Sequence, residues 1–182
     1  MDCPRCKDNP LHSVTLEDHL EAESCHNCGG HWLGSENYYR WLDDRGEILP
    51  EKPPEVELEV NDSDKAKLCP RCRRIMLKYK VGRGTDFYLD RCGSCNGVWF
   101  DKNEWESLKT RNLHDEVHLI FSPAWQENIR RQSHAKTLDR LYEQKFGTED
   151  YEEVKKIRAW LRDRPQRLAL LSFLTDKNPY QI

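Results

Sequence analysis

Four Cys-x-x-Cys pairs constrain this chain of 182 residues more than any other feature. They account for all eight cysteines: Cys3/Cys6, Cys25/Cys28, Cys69/Cys72 and Cys92/Cys95. The N-terminus has no apolar signal-peptide core, and no stretch approaches the length of a membrane span, so we expect a cytoplasmic protein. In a cytoplasmic chain, this spacing predicts metal sites before disulfides.

The cysteine pairs belong to an internal repeat. The segment CPRC at 3–6 recurs at 69–72, an offset of 66 residues, and the second pairs are offset by 67. Beyond the second pair, GHWL at 30–33 aligns with GVWF at 97–100. Four cysteines, a glycine and a tryptophan at nearly one offset indicate a duplicated unit.

Each copy is predicted to be a β-hairpin followed by a short helix. In the second copy, residues 75–81 and 85–90 have strand character on either side of a glycine-containing turn. Asp101 and Glu104 form a capping-box pattern that opens a helix. In the first copy a strand is expected within 11–16, and Ser35 is the expected helix cap.

The spacing suits two tetrahedral metal sites. Two knuckles joined by 18 or 19 residues can direct four sulfurs to one Zn²⁺, with Zn–S distances of about 2.3 Å. A unit this small buries too little apolar surface to fold alone, and metal binding contributes about 10–16 kcal/mol to such modules. We therefore predict two structural Zn²⁺ ions without an open catalytic position, each held by four cysteines: Cys3, Cys6, Cys25 and Cys28 in the first copy, and Cys69, Cys72, Cys92 and Cys95 in the second.

The motifs around the cysteines resemble the transcription-factor-IIB-type zinc-ribbon family. The second copy carries CPRC and then CGSCNGVWFD at 92–101, with Glu104. The first copy carries CPRC and CHNCGGHWL, but has Gly34 and Asn37 where the family shows Asp and Glu. The resemblance covers about 85 of the 182 residues and implies a rubredoxin-like ribbon with zinc in each copy.

The expected fold class is a small metal-bound α+β protein: two tandem rubredoxin-like zinc ribbons followed by a three-helix C-terminal module. The predicted boundaries are residues 1–45 for the first ribbon, 46–66 for an acidic, proline-rich linker, 67–110 for the second ribbon, and 111–182 for the helical module. Within the linker, a short extended stretch is expected at 56–60.

The helical module contains no cysteine. Ser122 and Pro123 are expected to open a helix that Gly147 stops, Thr148 caps a second, and Pro165 precedes a third over 168–174. Apolar residues at helical spacing are predicted to face inward: Trp125, Ile129, Leu138, Leu141 and Tyr142 in the first helix, and Tyr151, Val154, Ile157, Trp160 and Leu161 in the second. Such a module is marginal alone, so we expect docking or dimerisation.

Other metal and redox chemistries have weaker support. Four thiolates also suit a rubredoxin-type iron, which spacing alone does not exclude. Redox-active dithiols would need a βαβ setting that is absent here. His114 and His118 lie four residues apart, but Asp115 stands where a metalloprotease helix needs Glu, so we expect a polar turn. The other histidines of the first copy are expected at the surface rather than as ligands: His12, His19, His26 and His31.

A basic run raises the question of whether the partner is a nucleic acid. Residues 67–83 contain seven cations and no acid. The candidates for phosphate contact are Arg71, Arg73, Arg74, Lys78, Lys80 and Arg83. Against this, the formal net charge is −3, and two zinc-tetrathiolate centres bring it to about −7. The run either screens the negative metal centre and faces solvent, or binds nucleic-acid phosphates.

Our functional hypothesis is a non-enzymatic zinc-binding protein that acts as an interaction or regulatory adaptor. We expect a protein partner or self-association, and neither a membrane nor a small-molecule substrate. The first alternative is a nucleic-acid-binding transcription-type factor that uses the basic 67–83 hairpin. The second is a rubredoxin-like iron electron carrier.

Overall fold

A computed structural model describes residues 1–45, 59–60 and 62–180 of the protein. Most of the predicted 56–60 extended stretch lies outside these residues. The chain divides into two compact units, Met1–Ile129 and Arg130–Ile182, each described here by itself. Within the described residues, no helix has the length and apolar character needed to cross a membrane.

The described part of the first unit contains two copies of one arrangement: an antiparallel hairpin, a short third strand and a helix. The elements of the first copy are β1 (His12–Glu17), β2 (Leu20–Ser24), β3 (His31–Leu33) and α1 (Ser35–Arg45). Those of the second are β4 (Leu77–Lys80), β5 (Tyr88–Arg91), β6 (Val98–Phe100) and α2 (Glu104–Lys109). The short helix α3 (Val117–Ile120) and the start of α4 (Pro123–Phe146) follow. This mixture of strands and short helices fits the expected small α+β class.

All six strands form one antiparallel sheet in the order β1-β2-β3-β6-β5-β4. The two ribbons meet at the centre through β3 and β6, where Trp32 pairs with Trp99. His31 pairs with Phe100 and Leu33 with Val98, so equivalent residues exchange places across the junction. The copies are therefore related by an approximate two-fold axis between the tryptophans. The sequence alone left open whether the ribbons pack together.

Each central tryptophan packs beside a glycine of the other copy. A Cβ atom added to Gly30 would lie within 3.0 Å of the Trp99 ring, and one added to Gly97 within 3.0 Å of the Trp32 ring. Only glycine leaves room for these rings. Both tryptophans also pack with the cysteines, so they contact the candidate metal centres as well as joining the two copies.

The main hydrophobic core lies under the sheet and joins both ribbons to the segment after α2. The Trp41 ring of α1 meets the Trp105 ring of α2 edge-on, with centroids 6.1 Å apart. The Tyr38 hydroxyl accepts a hydrogen bond from the Val117 backbone N–H at 3.1 Å and lies 2.8 Å from the Asp115 carbonyl oxygen. These contacts anchor the chain around α3 onto α1.

Local signals for the turns and caps were only partly correct. The β1–β2 turn contains no glycine; His19 adopts the left-handed conformation in its place, at φ 65°. The Asp101–Glu104 capping box is half formed: the Glu104 carboxylate accepts the Asp101 N–H at 2.8 Å, while the Asp101 carboxylate accepts the Trp99 indole N–H. Ser35 donates its hydroxyl hydrogen bond to the Cys95 carbonyl oxygen, at 3.0 Å. Its side chain thus links the two ribbons.

The first turns of α4 pack within the first unit. The Ser122 hydroxyl accepts the Trp125 backbone N–H at 3.2 Å, as expected of a cap. The Trp125 indole donates to the Val81 carbonyl oxygen at 2.9 Å. Ile129 packs against Gly82. The inward orientation predicted for Trp125 and Ile129 therefore applies to this end of the helix.

The second unit consists of the rest of α4, α5 (Thr148–Arg162) and α6 (Arg167–Thr175). Gly147, at φ 80°, ends α4 as predicted. The apolar faces predicted to be internal are instead largely exposed: Leu138, Leu141, Tyr142, Val154, Ile157 and Trp160. Among the described residues of this unit, Leu161 is the one buried large apolar side chain. The expected inward packing is wrong because these helices have no second layer over them within the unit.

Candidate metal centres

The first cluster joins the four cysteines of the first copy. The Sγ atoms of Cys3 and Cys28 lie 3.6 Å apart, and those of Cys6 and Cys25 lie 3.9 Å apart. All four sulfurs lie within 4.8 Å of one another. Cys3 and Cys25 are buried, whereas the second cysteine of each knuckle is partly accessible. The hairpin β1–β2 brings the two knuckles together.

The second cluster repeats this arrangement with Cys69, Cys72, Cys92 and Cys95. Its Sγ–Sγ distances are 3.5 Å for Cys69–Cys95, 3.3 Å for Cys72–Cys92 and 4.0 Å for Cys72–Cys95. Again the first cysteine of each knuckle is buried and the second is partly accessible. The duplication therefore extends from the sequence motif to the arrangement of the sulfurs.

The sulfur spacing fits a tetrahedral ion. A Zn²⁺ with Zn–S bonds of about 2.3 Å separates its sulfurs by about 3.8 Å. The observed separations of 3.3–4.0 Å bracket that value. A disulfide would instead need about 2.05 Å. With four thiolates around one centre, no coordination position is left open for water or substrate.

The knuckle backbone is shaped to direct N–H groups at sulfur. The Cys6 N–H donates to the Cys3 Sγ at 3.3 Å, and the Cys72 N–H donates to the Cys69 Sγ at 3.4 Å. Each knuckle is closed by a left-handed residue four positions after its first cysteine: Lys7, Gly29, Arg73 and Asn96. Gly93, which directly follows Cys92, does not adopt this conformation.

The thiol pKa values differ in the same way in both clusters. Burial raises the pKa of Cys92, but hydrogen bonds from the backbone N–H groups of Cys95 and Ser94 outweigh it, and the pKa falls to about 7. The pKa of Cys25 is lowered for the same reasons. Burial dominates for Cys3 and Cys69, whose pKa values are raised. A cation would replace the remaining thiol protons of each cluster.

A third group of ligand-type atoms lies beside the second ribbon. Carboxylate oxygens of Asp62, Asp101 and Glu104 lie within 4.8 Å of one another. This group already contains a cation, since the buried Lys67 ammonium lies 3.0 Å from Asp101 and 2.6 Å from Asp90. Lys78 pairs with Asp62 at 3.2 Å. We therefore describe it as an internal ion-pair network rather than a metal centre.

Lys67 holds this network at the centre. Burial alone would lower its pKa, but the hydrogen bond and charge of Asp90 and the charge of Asp101 outweigh burial and raise it. Burial also raises the pKa of Glu104 well above its usual range, and the nearby Asp101 carboxylate adds to the shift. The sequence missed this site because Lys67 was counted in a basic run and Asp101 as a helix cap.

Most cations of the basic run face a carboxylate in the fold. Five of the six candidate phosphate contacts face a carboxylate within 4 Å: Arg71 faces Glu36, Arg73 faces Asp2, Lys78 faces Asp62, Lys80 faces Asp86, and Arg83 faces Glu116. Arg74 has no such carboxylate among the described residues. All five partners lie outside the run, so counting charges along the run overstated its positive potential.

Among the described residues, no histidine belongs to either group of four cysteines. His114 is buried beside the Trp41 and Trp105 rings, and its Nε2 lies 3.8 Å from the Glu17 carboxylate. His118 is exposed on α3. Within the described residues, these two join no group of three or more ligands. The segment is therefore partly a core element rather than the polar turn expected from sequence.

Four further histidines lie in the first ribbon. The His12 and His26 rings are in edge contact, with centroids 4.7 Å apart. Both are exposed, as predicted, whereas His31 is half-buried in the central strand. Burial lowers the pKa of His31, so its neutral form is favoured.

Comparison with known proteins gives one family. The model described as transcription factor zinc-finger matches the chain twice, at residues 2–44 and 68–111. Each matched segment contains one complete four-cysteine cluster. The matches do not reach the second unit. No curated protein and no solved structure matches the chain significantly.

Proposed function

Because residues 2–44 and 68–111 are tandem members of the transcription-factor zinc-finger family, we propose that this chain is a non-enzymatic zinc protein that acts as an interaction adaptor. Two structural Zn²⁺ ions, one on each four-cysteine cluster, hold the six-stranded scaffold. The observation that carries the proposal is the sulfur spacing of 3.3–4.0 Å in both clusters.

The ions would substitute for a hydrophobic interior on one face of the sheet. The cysteines and both central tryptophans form one packed cluster, separate from the main core. Apolar side chains supply little of that cluster beyond Trp32, Trp99 and Met76. A structural role follows because four thiolates satisfy the ion and leave it no position for chemistry.

Charge pairing favours a protein partner over a nucleic acid. Non-specific nucleic-acid binding requires cations that are free to neutralise phosphates. Here five of the six candidate cations are paired within the fold, and Arg74 alone among the six lacks a carboxylate partner in the described residues.

Metal identity is tested on the protein as purified. We expect two zinc ions per chain by elemental analysis and by native mass spectrometry. Replacing Cys6→Ser and Cys25→Ser should remove one zinc, and Cys72→Ser with Cys92→Ser should remove the other. A red protein with thiolate-to-iron absorption, or a zinc count unchanged by either double variant, would contradict the assignment.

The nature of the partner is tested by salt dependence. Zinc-loaded protein is titrated with duplex DNA and with single-stranded RNA between low and physiological salt. We expect weak binding and little change on Arg74→Glu. Tight binding whose logarithm falls steeply with the logarithm of salt concentration, and which Arg74→Glu reduces, would replace the adaptor proposal with the nucleic-acid alternative.

A further inference from the structure

The second unit carries an apolar groove between α5 and α6. Its volume is about 720 Å³. The apolar residues of its lining are Val154, Ile157, Ala159, Leu161, Leu171 and Leu174. Leu161 is buried, but Ile157 and Leu174 remain 45% and 58% exposed. Such a concave apolar surface on two packed helices is the usual form of a site for another helix.

The polar part of the same lining is entirely basic. It consists of Lys155, Arg158, Arg162 and Arg167, without an acidic side chain. Lys155 pairs with Glu152 and Arg162 with Asp163 at the surface. Arg158 and Arg167 have no ion-pair partner in the part of the chain that the structure describes. Two cations therefore flank the groove with their charge uncompensated.

The helix that forms one wall of the groove is apolar on several faces. Leu168, Phe173 and Leu174 of α6 are all exposed. A helix that is apolar on most of its faces is normally covered by other structure. An exposed surface of this kind marks an interaction site.

We propose that the α5–α6 groove binds an acidic amphipathic helix of a partner protein. The proposal rests on the adaptor function above and names the chemistry of its partner. Apolar anchors at helical spacing would cover Ile157, Leu171 and Leu174, as in other helix-in-groove complexes. Flanking Asp or Glu side chains would pair with Arg158 and Arg167. The part of α5 that lines the groove, Val154 to Arg162, spans about 14 Å, enough to seat two to three turns of the partner.

A second copy of the same groove is a poorer occupant. In a two-fold dimer the same surface meets itself. The four cations of one groove would then face the four cations of the other. An acidic partner removes this repulsion.

An anionic membrane is also a poorer occupant. α5 begins with Glu149 and Asp150, followed by Glu152 and Glu153. None of the four lines the groove, but a bilayer extends beyond the groove, so its anionic headgroups would be repelled by these acids. The groove is concave, whereas interfacial helices present a continuous apolar face to the bilayer.

The test uses the full zinc-loaded chain and two designed helical peptides of about 16 residues. Both carry Leu at helical spacing; one carries Glu and the other Lys at the flanking positions. Binding is measured by fluorescence anisotropy of the labelled peptides. We expect the Glu peptide to bind at least about tenfold more tightly than the Lys peptide, with an affinity that falls as salt rises.

Matched variants locate the site. Arg158→Glu with Arg167→Glu should weaken binding of the Glu peptide at least about tenfold and reverse the preference toward the Lys peptide. Leu174→Ala should weaken both peptides. Lys136→Glu, an exposed cation outside the groove, is the control and should leave binding unchanged. All these positions are exposed, and circular dichroism checks that the helices persist.

Three results would overturn the proposal. One is equal affinity for the two peptides, or affinity unchanged by the double Arg variant. Another is tight binding to phosphatidylglycerol-containing vesicles with none to the Glu peptide. The third is a stable dimer that Leu174→Ala dissociates.

Zinc analysis of the same samples separates this proposal from the zinc assignment of the proposed function. Two zincs without peptide binding contradict the groove alone. Peptide binding by a chain that holds no zinc contradicts the metal assignment alone.

Discussion

At the scale of single residues, two glycines determine whether the ribbons can meet. Gly30 and Gly97 each face the tryptophan ring of the other copy, so a methyl group at either position would overlap that ring. Gly93 is the natural comparison, because a Cβ there would meet nothing within 4 Å. Two glycines that look alike in the sequence thus have different constraints.

Gly97→Ala should therefore destabilise the first unit by about 1–3 kcal/mol, the usual cost of overpacking a core. Gly93→Ala should change the free energy of unfolding by less than about 0.5 kcal/mol. Denaturant unfolding of zinc-loaded protein, followed by tryptophan fluorescence, measures both. Equal effects of the two substitutions would show that the Trp32 ring does not occupy the space beside Gly97.

Lys67 is the second residue whose environment the sequence concealed. Its ammonium neutralises the buried Asp90 and Asp101 carboxylates. Lys67→Met should cost about 3 kcal/mol because it removes the buried cation between Asp90 and Asp101 and leaves them only the more exposed Lys78 and Arg5. Lys65→Met, at an exposed position, is the control and should cost less than about 0.5 kcal/mol. A similar cost for both would mean that water reaches the network.

At the scale of elements, the sequence predicted what is local and missed what is long-range. Cysteine spacing led to the two clusters, and glycine and proline signals led to the helix ends near 123 and 147. The junction of β3 with β6 was not predicted, because three-residue strands give no periodic pattern and their partner lies 67 residues away. Most of the ion pairs of the basic run were missed for the same reason, although Asp86 lies only six residues from Lys80.

The shared sheet predicts that the two metal sites are coupled. Cys69→Ser with Cys72→Ser should unfold the second ribbon and remove β6 from the edge of β3. Zinc affinity at the first cluster should then fall about tenfold, within the usual range for coupled sites. Competition with a chromogenic chelator measures it. An unchanged affinity would mean that the first ribbon folds independently of its neighbour.

At the scale of the whole molecule, the two units differ in what stabilises them. Both four-cysteine clusters lie in Met1–Ile129, and the second unit has no cysteine. The fold of the second unit was predicted less well, because its apolar stripes were assigned to an interior that the unit does not contain. The sequence pattern predicted the helices of this unit correctly. Periodicity alone does not show what covers their exposed faces.

Chelation should unfold the ribbons of the first unit and leave the helices of the second unit folded. Removing zinc should abolish the near-ultraviolet dichroism of the packed tryptophans, because the ribbons lose the ions that replace their core. Helical far-ultraviolet signal from α4 to α6 should largely remain. Readdition of zinc should restore the aromatic signal. Intact aromatic dichroism in protein shown to be metal-free would contradict the structural role of zinc.

The exchange of equivalent residues across β3 and β6 has a consequence for the origin of the chain. Each ribbon carries both halves of the contact, a glycine and a tryptophan two residues later, so one ribbon alone is complementary to a second molecule of itself. A polypeptide with a single ribbon would pair as a homodimer through that strand. The present chain would then be such a homodimer made covalent by duplication, with its halves free to diverge while remaining at equal concentration.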